Sequence, residues 1–436
     1  MNISVVGLGK LGAPLAAVLA SKGNQVIGID VAGQSVRLLN EGKAPVSEPG
    51  LSELIEASRN RISATESYAE AIGKTDVTFL VVPTPSDGQG AFSLRFVLET
   101  IERIGGVLRK KESFHLVIVT STVMPGDTDA QILPALEKYS GKRCGESFGF
   151  CYSPWFIAIG TVIHDILNPD FVLIGEADGR SGDILERIYR NTCDNNPRIA
   201  RMNFVNAELT KLAVNTYVTT KISYANMLAD LCERLPGANV DVVTSAVGLD
   251  SRIGSKYLKA ATAYGGPCFP RDNVAMGYLG RKLGARAILA EATDELNRRH
   301  TMHLAEIVAS KLPPDGRVGI LGLAYKPNTK VVEESAGVSL ARHLSKRGIP
   351  VVAFDPIAMD SARSVLDHGV VFASSVAQCV QQADVVVVTT PLAEFRDLAS
   401  LSKGKALVVV DCWRFLDQSG IQHYVPLGVG ADQAKD

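Results

Sequence analysis

The stretch VVGLGKLG, residues 5–12, decides the fold. It ends the β-branched run NISVVGLG and opens KLGAPLAAVLASKG, whose apolar spacing predicts a helix that stops at Gly23. The next run, QVIGID, closes on Asp30. A G-x-G-x-x-G turn between a strand and a helix, with an acidic residue ending the following strand, is the dinucleotide fingerprint. Gly7 permits the tight turn, Gly9 lets a pyrophosphate approach the backbone, and Gly12 lets the helix pack on the strand. The helix N-terminus then faces the phosphates. A carboxylate at Asp30 accepts ribose hydroxyls and repels a 2′-phosphate, so NAD is expected rather than NADP. The expected cofactor contacts here are Gly7, Leu8, Gly9, Lys10, Leu11, Gly12 and Asp30.

Outward from this stretch, DVTFLVVP (76–83), HLVIVTST (115–122) and DFVLIG (170–175) read as further strands with helical patterns between them. That alternation implies a parallel, doubly wound sheet. From about Asn203 to Leu235 a long helical pattern has few breakers, and helical patterns continue to about Ser310. PPDG (313–316) marks a turn or linker. After it RVGILGLAYKP, PVVAFDP, VVFA, ADVVVVTTP and ALVVVDCW read as strands of a second parallel sheet. The expected fold class is α/β: two Rossmann-like doubly wound domains joined by a helical middle domain with a long central helix. The expected boundaries are 1–200, 201–312 and 313–436, and GADQAKD reads as a frayed tail.

Bulk properties narrow the function. The chain has 436 residues and 46% hydrophobic residues, enough for several cores. A formal net charge of -1 argues against nucleic acid as partner. No run of apolar residues is long enough to cross a bilayer, and no signal peptide is visible. Seven cysteines are scattered without C-x-x-C or zinc-type spacing. The expectation is a reduced cytoplasmic protein without a metal.

One cysteine is placed unusually. YGGPCFPRDN (264–273) holds Cys268 in a stiff loop, near Arg271 and ahead of a helical pattern. Cationic neighbours and helix N-termini favour a thiolate. An NAD fingerprint combined with a positioned thiol suggests aldehyde chemistry through a thiohemiacetal and a thioester. Read locally, the thiol could equally be inert.

GLGKLGAPLAAVLASKGNQVIGID, VNAELTKLAVNTYVTTKIS, YGGPCFPRD and GILGLAYKPNT occur in order along the chain. Together they resemble the nucleotide-sugar dehydrogenases, the family of UDP-glucose and GDP-mannose dehydrogenases. The resemblance implies NAD-dependent oxidation of a sugar-nucleotide alcohol to a carboxylate, with Cys268 as nucleophile. It implies that Lys211 and Asn215 bind the oxyanion and the reacting hydroxyl, that Asp272 assists hydrolysis and that Thr122 positions a water. Pro83, Thr84, Ser121 and Thr122 complete the implied cofactor site. The implied substrate residues are Trp155, Phe156, Ile157, Lys211, Asn215, Arg252, Tyr257, Lys259, Tyr264, Gly265, Lys326 and Arg414. A UDP-sugar is the favoured substrate, and a homodimer through the central helix is implied.

The sequence also departs from the family pattern. Its N-P-E-F-L-x-E-G is SPWFIAIG (153–160) here, so Trp155 and Ile159 replace two glutamates. Glu333 replaces a cofactor-binding Arg, Phe171 a common Arg, and Ala263 a usual Gly. Trp413 takes a substrate Arg position, which Arg414 could fill. Three readings stay open: an ordinary dehydrogenase, an altered reaction that stops early or takes an unusual sugar, and a sugar-nucleotide binder without turnover.

Overall fold

A computed structural model describes residues 1–366 and 369–431; the tail residues 432–436 lie outside the described residues. The chain forms two compact units, Met1–Ala213 and Val214–Asp436.

The first unit is built on strands β1 (Asn2–Val6), β2 (Gln25–Ile29), β3 (Ile62–Thr65), β4 (Val77–Leu80), β5 (His115–Val119), β6 (Phe148–Tyr152), β7 (Phe171–Glu176) and β8 (Arg198–Met202). They form one eight-stranded sheet in the order β3-β2-β1-β4-β5-β6-β7-β8. Neighbours are parallel except β6 and β7. Helices cover both faces, so the central strands are buried on both sides and read as apolar runs. Ile3 and Val5 face one core with Leu15, Val18 and Leu19, and Val6 and Leu80 face the other with Val97, Ile101 and Ile104. Strand order reverses between β1 and β4. In such sheets ligands bind at the carboxyl ends of the strands beside this switch point, which is where Gly7, Asp30, Thr84 and Ser121 fall.

One buried group on this sheet carries a pH signature. The His115 ring is fully buried. Its Nδ1 lies 3.0 Å from the Thr75 carbonyl and its Nε2 lies 2.7 Å from the Thr78 hydroxyl. A carbonyl only accepts, so Nδ1 carries the proton and Nε2 accepts. Burial pushes the imidazole down from 6.5 to about 3. The unfolded chain therefore takes up a proton that the folded chain refuses. This contribution is complete above pH 6.5 and is lost as pH falls toward 3, with a slope of about 1.4 kcal/mol per pH unit. His115→Gln should lose less stability than the wild type between pH 6.5 and 5, by about 2 kcal/mol in urea unfolding.

The long helix Phe204–Cys232 runs through the boundary into the second unit. It matches the expected pattern from 203 to 235 within the usual fraying. Helices Val240–Gly248, Phe269–Lys282 and Ile288–Ser310 follow. Then come β9 (Val318–Leu321), β10 (Val351–Phe354), β11 (Val370–Phe372), β12 (Val385–Val388), β13 (Val408–Asp411) and β14 (His423–Pro426). These form a parallel six-stranded sheet in the order β11-β10-β9-β12-β13-β14. The fold class is thus the expected one.

The second sheet repeats the turn device of the first. In the first unit a Cβ on Gly12 would overlap the Gly7 carbonyl oxygen. In the second, a Cβ on Gly337 would overlap the Gly322 carbonyl oxygen, and Gly322 has φ +104°. Asp355, after β10, takes the topological place of Asp30. It is almost fully buried and accepts from the backbone N–H groups of Leu323, Ala324, Ile357 and Ala358. Asp355 therefore holds the turn together. Between Gly322 and Gly337 stands a long loop that contains Lys326 and Glu333.

Candidate active site

In the first unit the glycine loop is shaped as the fingerprint requires. Gly7 has φ +91°, and a Cβ there would overlap the Val81 carbonyl. A Cβ on Gly9 would meet nothing within 4 Å. That open backbone, at the start of helix Gly12–Ser21, is a cradle of the kind a pyrophosphate needs. Asp30 accepts from Leu8 N–H at 2.6 Å and Ala32 N–H at 2.8 Å, which fixes its carboxylate beside the loop. Leu8 is buried against Gly28, whereas Lys10 is exposed. The residues fit the dinucleotide that the fingerprint predicts.

The loops after β4 and β5 are tied to each other. Val82 N–H donates to Ser121 Oγ at 3.1 Å, and Ser121 Oγ–H donates to Val82 O at 2.6 Å. The Thr84 hydroxyl donates to Thr122 O at 2.7 Å. Pro83, Thr84, Ser121 and Thr122 are thereby brought to one edge of the sheet.

Glu208 supports this edge, and sequence reading missed it. It is fully buried on the long helix, one turn before Lys211. Its carboxylate accepts from Gly126 N–H at 2.6 Å and Thr128 N–H at 2.9 Å. Burial pushes its pKa up, and these hydrogen bonds oppose that. The signal available was an acidic residue one turn from an expected catalytic lysine. Glu208→Gln turns one acceptor oxygen into a donor facing an N–H. It should cost about 1–3 kcal/mol in thermal unfolding and raise the KM for NAD, because the Thr122 loop loses its anchor.

The SPWFIAIG segment packs inward. The Trp155 indole N–H donates to the Tyr189 hydroxyl at 3.1 Å, and that oxygen lies 2.7 Å from Ser153 Oγ. Burial pushes the Tyr189 phenol up to about 12. Trp155 and Ile157 pack on one core of the unit and Phe156 on the other. Phe156 also stacks on Phe171 at 4.8 Å. Lys211 is 7% exposed; its Nζ donates to the Trp155 carbonyl at 2.6 Å and sits 4.6 Å above the Phe156 ring. Trp155 thus fills space in the unit, and Lys211 is held by this segment's backbone and by an aromatic face.

In the second unit Cys268 caps helix Phe269–Lys282, with Pro270 in its first turn, and is exposed. The positive end of the helix dipole falls on it. Asp272 is fully buried, and its backbone N–H donates to Cys268 O at 2.8 Å. Asn215 Nδ2 donates to Asp272 Oδ2 at 2.6 Å. Arg271 Nε lies 3.4 Å from Asp272 Oδ1. The Asp272 and Asn215 side chains are therefore one hydrogen-bonded pair, with Cys268 one turn before Asp272 at the helix start and Lys211 one turn before Asn215 on the same continuous helix.

The loop before Cys268 is pinned at close quarters. A Cβ on Gly265 would overlap the Glu334 carbonyl. Gly266 has φ +87°, and a Cβ there would meet the Tyr325 ring at 2.6 Å. Gly266 N–H donates to Glu333 O at 3.0 Å. Burial, with the charge of Cys268 adding to it, pushes the Tyr325 phenol up to about 12. Tyr264 is held through its backbone by both ends of the Asn297 amide and touches Phe269 edge-on.

The other expected substrate residues divide. Tyr257, with φ +62°, and Lys259 are exposed near this loop, and Tyr257 meets Phe269 edge-on. Lys326 lies over the Tyr325 ring. Arg252 is exposed and pairs with Asp250. Arg414 differs from the expectation that it meets substrate. Its five N–H groups go to Asp241 twice and to the carbonyls of Cys412, Leu427 and Ala260. The side chain is 6% exposed and its guanidinium braces the unit.

Comparisons with known proteins agree with this layout. The UDP-glucose/GDP-mannose dehydrogenase family models match in three parts: the NAD binding domain over residues 1–193, the central domain over 205–299 and the UDP binding domain over 319–418. The chain is 35% identical over 402 residues to the UDP-glucose 6-dehydrogenase AglM of Haloferax volcanii, covering 91% of this chain and 93% of that protein. It is 32% identical over 425 residues to a GDP-mannose 6-dehydrogenase of Pseudomonas syringae, covering 94% and 95%. A solved UDP-glucose dehydrogenase from the hyperthermophilic archaeon Pyrobaculum islandicum superposes with a TM-score of 0.88 at 34% identity, covering 98% and 97%. With NAD as cofactor and a nucleotide sugar as substrate class, the chain belongs to the UDP-glucose/GDP-mannose dehydrogenase family.

Proposed function

We propose that this enzyme oxidises a UDP-linked hexose at C6 from alcohol to carboxylate through a covalent intermediate on Cys268. The exposed Cys268 thiol at the start of the helix whose first turn carries the Asn215-bonded Asp272 carries this reading, because a module that only binds has no use for a thiol so placed. NAD, held by the Gly7–Gly12 loop and Asp30, supplies the acceptor for the hydride lost at each of two oxidations. The chain's own residues do the rest. The Lys211 ammonium and the Asn215 amide stabilise negative charge on the reacting oxygen. The Cys268 thiolate adds to the C6 aldehyde, giving a thiohemiacetal whose oxidation leaves a thioester. Water cleaves the thioester, releasing the carboxylate and restoring the thiol. Asp272 takes the proton of that water, and Thr122 positions the water.

Tyr257, Lys259, Tyr264, Gly265 and Lys326 form the proposed sugar-nucleotide cradle. Trp155, Phe156 and Ile157 shape the segment that holds Lys211. Exposed Val205, Leu209, Tyr217, Tyr224 and Leu231 on the long helix support a homodimer through that helix, with Arg252 reaching the partner's substrate. Seven unbridged cysteines fit a reducing, cytoplasmic setting.

A second reading is favoured by one observation. The 153–160 segment offers no carboxylate, and a general base contributes about 10²–10⁴-fold. Hydrolysis could then stall, leaving a one-hydride reaction or a lasting thioester. NADH formed per sugar consumed tests both readings, with UDP-glucose, UDP-galactose, the UDP-N-acetylhexosamines and GDP-mannose. Two NADH and an acidic product support the full oxidation; one NADH or a trapped adduct on Cys268 supports the second. Saturable binding without turnover overturns both.

A further inference from the structure

Two polar rungs join the helix that starts at Cys268 to the long helix. The first is the bond from Asn215 Nδ2 to Asp272 Oδ2 at 2.6 Å. The second lies one turn further along the long helix. Asn273 Nδ2 donates to Thr219 Oγ1 at 2.8 Å and back along its own helix to Phe269 O at 3.0 Å, and the Tyr264 hydroxyl stands 3.3 Å away. Phe269 O can only accept, so the amide nitrogen belongs on this side. One side chain thus ties together the long helix, the residue after Cys268 and the loop before it.

The surroundings of this amide are not those of a residue kept for stability. Asn273 is 1% exposed and Thr219 is fully buried. The Thr219 hydroxyl donates its own proton to Thr216 O at 2.8 Å, which leaves its oxygen as the acceptor for Asn273. The far end of the amide, Oδ1, is buried and makes no hydrogen bond among the described residues. A buried acceptor without a donor is destabilising, and asparagine is a modest helix former. A leucine has the same branched shape and would remove the unpaired oxygen. It would also remove the directional bond. Apolar packing lets two helices slide past each other, whereas a buried polar contact fixes their register at a cost in stability.

We propose that Asn273 is a positioning residue for the reaction at Cys268, fixing the start of the Cys268 helix against the long helix that carries Asn215. The inference rests on Cys268 as nucleophile. The Asn215–Asp272 rung holds a side chain. The Asn273 rung holds main chain, at the carbonyl of Phe269, one residue from the thiol. Together they set the thiol, the carboxylate and the amide in one frame. Thr219 and Asn273 lie 54 residues apart, so no short motif announces the pair.

Full-length Asn273→Leu is to be compared with the unaltered protein in three measurements. These are steady-state oxidation of the best-used sugar among UDP-glucose, UDP-galactose, the UDP-N-acetylhexosamines and GDP-mannose, thermal unfolding, and alkylation by iodoacetamide followed on the Cys268 peptide. We expect kcat to fall roughly tenfold, since a shift of a fraction of an ångström at a reacting atom is costly. The KM for NAD should stay within about twofold and Tm within about 4 °C, because the lost donor goes together with an unpaired acceptor. Alkylation should slow by about threefold or more, as the thiol leaves its place at the helix start. Thr219→Val should reproduce the loss and Thr219→Ser, which keeps the hydroxyl, should restore it. The double variant Asn273→Leu/Thr219→Val should be no worse than either single one. Wild-type kcat and alkylation in Asn273→Leu overturn the inference, and so does a loss of kcat that only follows a loss of Tm. Should Asn273→Leu fold poorly, equal turnover in Thr219→Val and Thr219→Ser overturns it. Loss of turnover in Cys268→Ser beside an undisturbed Asn273→Leu sinks this inference alone, whereas wild-type turnover in Cys268→Ser sinks the nucleophile and this inference with it.

Discussion

Cys268→Ser is expected to abolish conversion to the carboxylate while leaving both ligands bound. A serine hydroxyl is a far weaker nucleophile than a thiolate, and an oxygen ester is a poorer acyl donor than a thioester. Removing a covalent nucleophile costs on the order of 10³-fold or more in turnover, which is about 4 kcal/mol in the barrier. The substitution changes little else. Cys268 is exposed, its carbonyl still accepts from Asp272 N–H, and serine is a better helix cap than cysteine. Stability and NAD affinity should therefore match the wild type. NADH production is the decisive readout. If the first oxidation survives, enzyme-bound aldehyde and at most one NADH per sugar should accumulate. Wild-type turnover and two NADH per sugar in the variant would remove Cys268 from the mechanism altogether.

The parts of the site that were legible in the sequence are those where backbone geometry dictates residue type. Gly7 and Gly12 could be read because close helix–strand approach tolerates only glycine, and the short turn keeps both in one motif. Gly322 and Gly337 play the same part in the second sheet but hold a long loop between them, so no short pattern joins them. The edge strand β8, RIARM, was missed because its arginines resemble a loop. Arg201 is there because it pairs with Glu176, Asp183 and Glu186, a set assembled only by folding. Glu208 was passed over for a similar reason: an acidic residue on a helix pattern looks solvated until the loop that donates to it is placed. Arg414 erred in the opposite sense. Its place next to Trp413, which stands at the family's substrate Arg position, suggested a substrate contact, and only Asp241, on a distant helix, shows that it is a brace.

Gly266→Ala should also lower turnover severely, though less than loss of the thiol, and by a different route. At φ +87° a Cβ is strained by about 1–2 kcal/mol before any contact is counted. The added methyl would also meet the Tyr325 ring at 2.6 Å. The half-buried ring's neighbour loop is held by the bond from Gly266 N–H to Glu333 O, so the clash is expected to be relieved at least in part by moving the GGPC loop itself. The loop leads directly into the cap of the helix that carries Cys268 and Asp272. A displacement of about 1 Å at a reacting atom costs about 10²-fold, and turnover should fall by that order. NAD affinity should not change, because the glycine cradle and Asp30 belong to the other compact unit. Tyr325→Leu in the Gly266→Ala background separates the two causes. Removing the ring's edge should restore part of the activity if the clash moves the loop, and none if backbone strain alone does. Gly265→Ala is the harsher control, since its Cβ would overlap a main-chain carbonyl that no side-chain change can remove. Wild-type activity in both glycine variants would mean that the loop's position does not set that of Cys268, the proposed nucleophile.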